Sequence, residues 1–160
     1  MSSFLASTSA ESVSFNDPLS GIKNDGWFPD IDVAKARAAM RLDGTVTPPR
    51  LREALVAAII SINRQLQGWQ RSQQVTGYED LESVPAPTVD GLKTIVSLYQ
   101  RAVCCTAKAD LIEHYRDFDT TSEGNRKTDL LDPSIGEQRR NAQWAVADIK
   151  GETRVTVELI

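Results

Sequence analysis

Leu51, Leu55, Ala58, Ile59, Ile62, Leu66 and Trp69 recur at spacings of three and four residues, and this run most narrows what the chain can fold into. Such spacing returns to one side of an α-helix and to neither face of a strand. The start of the helix is specified locally. Thr47 is placed to cap it, Pro48 suits the first helical position, and Val46 is placed to pack on Leu51 as a hydrophobic staple. A helix from Pro48 to about Gln73 would be roughly 39 Å long and is expected to be the central column. One apolar stripe on a long helix must be covered by other elements, and because the remaining long segments also read as helices the expected class is all-α.

Three further segments supply them. Ile31 to about Leu42 reads as a short helix with Asp30 as its N-cap and Asp43-Gly44 as its stop. A third helix is expected from about Val89 to Asp117, with Leu92, Ile95, Val96, Tyr99, Ala102, Val103, Thr106, Ala109, Ile112 and Tyr115 facing inward. Between the second and third, residues 77–87 read as a linker, because Pro85 and Pro87 forbid a continuous helix. The polar run 119–129 reads as a loop. Asp132-Pro133 then opens a last helix that buries Ile135, Ala142, Ala145, Val146 and Ile149 and stops at Gly151. The product is a small bundle of three long helices plus one short N-terminal helix, spanning residues 27–151.

The two ends read differently. Residues 1–26 are Ser-rich and acidic, show no sustained apolar period, and are expected to form a disordered arm. Trp27 and Phe28 follow abruptly. They read as an anchor pinning the arm to the body, or alternatively as an exposed docking patch. At the other end, Val155, Val157 and Leu159 alternate with Arg154, Thr156 and Glu158, the period-2 pattern of a strand within residues 152–160. A strand must pair its backbone groups, and no second convincing strand stands out in the sequence. The expected partner is another chain, which makes Arg154, Val155, Thr156, Val157, Leu159 and Ile160 candidate contact residues.

Composition limits the alternatives. A 160-residue chain with 41% apolar residues can bury a core without a disulfide or metal. Its formal charge of −4 weighs against sequence-independent nucleic-acid binding. Cys104 and Cys105 are adjacent within a helical pattern and diverge by about 100°, so they read as reduced residues of a cytoplasmically made protein. Neither a signal peptide nor an 18-residue apolar run is expected, and the chain reads as soluble with no membrane contact.

The search for chemistry returns little. His114 is the single histidine, with Asp110 and Asp117 on its helical face, yet a zinc site would want more Cys or His. It reads as a surface histidine, and the cysteines as inert. No phosphate-cradling glycine loop or calcium-loop spacing is present. No catalytic, metal-binding or cofactor-binding residue is assigned, and the chain reads as a non-enzyme.

Three stretches nevertheless carry a whole-chain likeness. The runs WFPDIDVAKARAAMRLDGTVTPPRLREAL (Trp27 to Leu55), YQRAVCCTAKADLIEHYRD (Tyr99 to Asp117) and WAVADIKGETRVTVELI (Trp144 to Ile160) resemble the head completion proteins of contractile-tailed temperate phages, the gpL-like family. The likeness covers nearly everything from Trp27 onward, and the Ser-rich arm lies outside it. It implies a structural virion protein that binds as a ring, expected to be a dodecamer, beneath the portal protein. There it would retain packaged DNA, which passes through the channel without sequence-specific binding, and offer a docking face to a tail completion or terminator protein. The implied location is the head–tail interface of the virion, and the host cytoplasm during assembly. The rival reading is a helical DNA-binding or packaging-regulatory module using Arg126, Lys127, Arg139 and Arg140. A third is an enzyme built around His114.

Overall fold

The structure, a computed structural model, describes residues 21–42, 44–118 and 122–154, including their side chains except those of 115–118 and 122–133. Among the described residues the chain runs α1 (Val33–Met40), α2 (Pro48–Thr76), β1 (Thr88–Val89), β2 (Leu92–Lys93), α3 (Thr94–Phe118) and α4 (Ser122–Lys150). The fold is mostly helical, as expected, with a small two-stranded sheet added.

The short helix begins later than the sequence suggests. Asp32, not Asp30, caps α1, accepting the Lys35 backbone N–H at 2.9 Å. Asp30 is otherwise engaged: its carboxylate accepts from Lys23 Nζ at 2.7 Å and from the Asn24 backbone N–H at 2.9 Å. Arg41 takes the left-handed conformation that ends the helix (φ 52°). Asp43, half of the expected stop, lies outside the described residues.

The long stripe holds. Leu51, Leu55, Ala58, Ile59, Ile62 and Leu66 are all buried on α2, and Trp69 is partly so. Each fully buried aliphatic side chain contributes about 1.5–3 kcal/mol relative to exposure. Thr47 has the extended backbone of a cap but makes no side-chain cap bond. The residue at the second helical position is Pro49, which removes one of the two N–H groups that a cap side chain serves. The helix continues past Gln73 to Thr76, where Gly77 at φ 105° closes it.

The third helix starts at Thr94 rather than near Val89. Asp90 and Gly91 both have positive φ (50° and 75°), the geometry of a two-residue hairpin turn that no helix accommodates. Thr88 pairs with Lys93 and Val89 with Leu92 across it. Leu92 is therefore 52% exposed instead of joining the helical stripe. The stretch before the hairpin is also more than a linker, since Leu81 and Val84 are buried in the core. Asp80 and Ser83 hold it in a tight turn, with Ser83 N–H donating to the Asp80 carboxylate at 2.7 Å.

The last helix extends to Ser122 at its N-terminal end, ten residues before the expected Asp132-Pro133 start. An interior proline costs a helix one backbone hydrogen bond and a clash with the preceding turn, yet the helical backbone continues across Pro133. Most of the polar run 119–129 is thus helical backbone, while residues 119–121 lie outside the described part. Ile135, Ala142, Ala145, Val146 and Ile149 are all buried, as their spacing predicts.

The central column is α3, not α2. It packs against α1, α2 and, most extensively, α4. The reason lies in its composition. Ile95, Val96, Tyr99, Ala102, Val103, Ala107, Ala109 and Leu111 are buried, more positions than one stripe can hold, and the alanines let neighbours approach on several sides.

Candidate functional site

The N-terminal border of the folded body is earlier than Trp27. Ile22 is buried and exchanges both backbone hydrogen bonds with Ile31 (2.7 and 3.0 Å), closing a short loop over residues 23–30. Within that loop Asp25 Oδ1 accepts the N–H groups of Trp27 and Phe28 at 3.0 and 2.9 Å. Both aromatic rings then turn inward. Trp27 meets Trp69 edge-on and donates Nε1–H to the Tyr78 carbonyl at 3.2 Å. Phe28 stacks on Tyr99 with centroids 4.8 Å apart. At 5% and 2% exposure, Trp27 and Phe28 are anchors within the core and present no free docking patch.

A polar triangle lies beside them. Asn24 Nδ2 donates to the Tyr99 hydroxyl (2.8 Å), that hydroxyl donates to Asn63 Oδ1 (2.6 Å), and Asn63 Nδ2 donates back to Asn24 Oδ1 (2.8 Å). Burial pushes the Tyr99 phenol well above its ordinary range, so it remains a neutral donor. Neither asparagine stands out in the sequence, because three residues so far apart along the chain leave no local pattern.

At the C-terminal end, Gly151 adopts φ 71°, and Glu152 N–H returns to the Ala147 carbonyl at 2.9 Å, ending α4 as expected. Residues 152–154 are not strand in the structure. Arg154, expected to face a partner, folds back on its own helix. Its guanidinium makes two bonds to Asp148 (2.9 and 2.6 Å) and lies 5.3 Å from the Trp144 ring centroid. The Arg154 hydrogen bonds hold the Asp148 carboxyl below its ordinary range. Val155, Thr156, Val157, Leu159 and Ile160 lie outside the described residues. The chain departs toward them beside a shallow pocket lined in part by Pro85, Pro87, Thr94, Lys150 and Gly151, at the base of the hairpin.

Among the described residues the surface offers few other features. Val56 and Ile60 are exposed one turn apart on α2, at 38% and 55%, and Val75, Val89 and Leu92 are exposed near the end from which the C-terminal segment leaves. A groove of about 560 Å³ runs between α1 and α3. His114 is exposed beside Asp110, whose carboxyl is raised by burial and by Glu113, and three potential metal ligands do not converge anywhere among the described residues. Burial pushes the Cys104 thiol up to about 11 and also raises that of Cys105, so neither forms a ready thiolate near neutrality. Of the cations that would serve a DNA-binding module, Arg139 pairs with Glu113 and Arg140 lies over Trp144. The side chains of Arg126 and Lys127 lie outside the described part. No described helix is long and apolar enough to cross a membrane.

The family described as phage head completion protein (GPL) matches residues 22–160. The head completion/stabilization protein of Escherichia phage P2 is 42% identical over 139 residues, covering 87% of this chain and 82% of that protein. The probable head completion/stabilization protein of Haemophilus phage HP1 (strain HP1c1) is 25% identical over 142 residues, covering 87% and 91%. No solved structure matches the chain.

Proposed function

The chain belongs to the phage head completion protein family, a structural component of the virion head, and on that premise we propose that it acts where head meets tail. Copies would form a ring below the portal protein, retain the packaged genome, and present the surface on which a tail completion or terminator protein docks. The observation that carries this reading is where the family match begins and ends. It starts at Ile22, which is buried and paired with Ile31, and it runs on through Ile160, past the stop at Gly151. The matched stretch therefore takes in residues 155–160 along with the helices.

The mechanism follows from the pieces. Arg154 clamps to Asp148 and fixes the point from which residues 155–160 leave the body. Val155, Val157 and Leu159 would fill pockets on the portal or on a neighbouring subunit while the backbone adds to a sheet edge. A segment of this length binds weakly alone, but a ring engages many copies at once and converts weak contacts into a stable joint. Val56 and Ile60 on the outer face of α2 supply an apolar surface for a head-to-tail contact between neighbours. The role is structural rather than catalytic. The net charge of −4 would keep channel-facing surfaces from gripping DNA, so the genome slides past on ejection.

A DNA-binding or packaging-regulatory module is the second reading, favoured by one observation: Lys35, Arg41, Arg101 and Lys108 all line the α1–α3 groove. Salt-dependent DNA affinity would support it.

The test uses a chain ending at Arg154, which retains the clamp. It should keep the helical signal of the full chain and lose attachment to portal-bearing heads. Attachment at the full-length level would overturn the role given to residues 155–160.

A further inference from the structure

We propose that the groove between α1 and α3 is the docking site of a segment of the same chain, residues 13–19. The inference stands apart from the role at the head–tail junction, and it starts from the chemistry of the groove. Ala36, Ala39, Met40 and Cys104 form an apolar lining, while Lys35, Arg41, Arg101 and Lys108 bring four cations to the same surface. Asp32 is the one acid there; it caps α1 and lies 3.9 Å from Lys35. A bare phosphate would satisfy the cations and leave the apolar surface wet. A peptide carrying both apolar side chains and carboxylates covers both.

Residues 1–20 have that chemistry. They contain Glu11 and Asp17 and no Lys or Arg. Val13, Phe15, Asp17 and Leu19 fall on alternate positions, so an extended segment presents three apolar side chains and one carboxylate on one face. The backbone also delivers this segment to the groove. The antiparallel pairing of Ile22 with Ile31 sets Gly21 opposite Asp32, and Ile31 and Asp32 both line the groove at the start of α1. A segment that kept that register backward from Gly21 would run alongside the start of α1. The helix has eight residues, about 12 Å, and Phe15 to Leu19 extended span about 16 Å. Attachment at Gly21 makes the docking intramolecular and raises the effective concentration of the segment. The family match begins at residue 22, so this device would be an addition to the shared body.

The experiment uses the full-length chain with Phe15 replaced by photoreactive p-benzoylphenylalanine, irradiated in an equal mixture of light and isotopically heavy protein. Cross-links should join Phe15's position to peptides of α1 or of residues 97–108 within a single chain. The pair Arg41→Glu and Lys108→Glu should reduce their yield by about threefold, as expected for two exposed charge pairs. A second readout leaves the folded body untouched. Reversing Glu11 and Asp17 to Lys should speed alkylation of Cys104 and Cys105 by about threefold, because the covering segment is released. Cross-links that land on other surfaces, cross-links that join light to heavy chains, or an unchanged alkylation rate would each overturn the proposal.

Discussion

The Tyr99 hydroxyl donates to Asn63 Oδ1 at 2.6 Å, tying the second turn of α3 to the middle of α2 at the edge of the apolar core. The same hydroxyl accepts from Asn24, so one phenol joins three parts of the chain. Tyr99→Phe keeps the ring stacked on Phe28 and leaves two amide groups short of a partner. The expected loss is about 1–3 kcal/mol, the cost of unpaired buried polar groups. Urea unfolding of the two proteins measures it. A loss below about 0.5 kcal/mol would mean that water replaces the hydroxyl without penalty.

Phe28 is 2% exposed and sandwiched between Trp27 and Tyr99. Phe28→Ala should destabilise the fold by about 3–5 kcal/mol, the range for removing a buried aromatic ring. Trp27→Phe should cost less, since it keeps an aromatic ring and removes part of the indole's volume and its bond to the Tyr78 carbonyl. The order of the two losses, read from denaturation midpoints, is the test.

Asp30 supplies a pH dependence. Its carboxyl is held below its ordinary value first by the hydrogen bond from Lys23 and next by the Asn24 N–H. A carboxyl whose folded pKa is depressed stabilises the fold above its unfolded value, and that contribution fades as pH falls through the folded value. Asp30→Asn should therefore lower Tm at pH 7, and the two Tm curves should converge as pH drops below about 4. Parallel curves down to acid pH would rule out this role for Asp30.

Val56 and Ile60 test the ring. Ile60→Glu alters an exposed side chain and should change stability by less than about 0.5 kcal/mol. It should nonetheless block association of copies on the portal, because it buries a charge in an apolar contact. Sedimentation of the variant with portal-bearing heads measures this; normal ring occupancy would remove α2 from the interface.

The family resemblance was carried by three stretches of residues, and the comparisons place the chain in that family. The functional surfaces were less legible. Arg154 sits in a strand-like alternation, which reports side-chain order along the backbone and nothing about a carboxylate six residues back on α4. The Asp90-Gly91 pair carried a turn signal, and it was the helical period around it, from Leu92 onward, that obscured the hairpin.

The sequence by itself determined that three long helices form and most of the face that each buries, but not where α3 and α4 begin. The repeat from Leu51 to Leu66, the stripe from Ile95 to Val103 and the stop at Gly151 are all local, since each is written in residues three or four apart. Only the tertiary structure decided that α3 is the centre, that Ile22 belongs to the buried body, and that Asn24, Asn63 and Tyr99 close a hydrogen-bonded triangle. Helical periodicity names a buried face without naming its partner. Polar contacts between single residues 36 to 75 positions apart exist only once packing has brought their elements together.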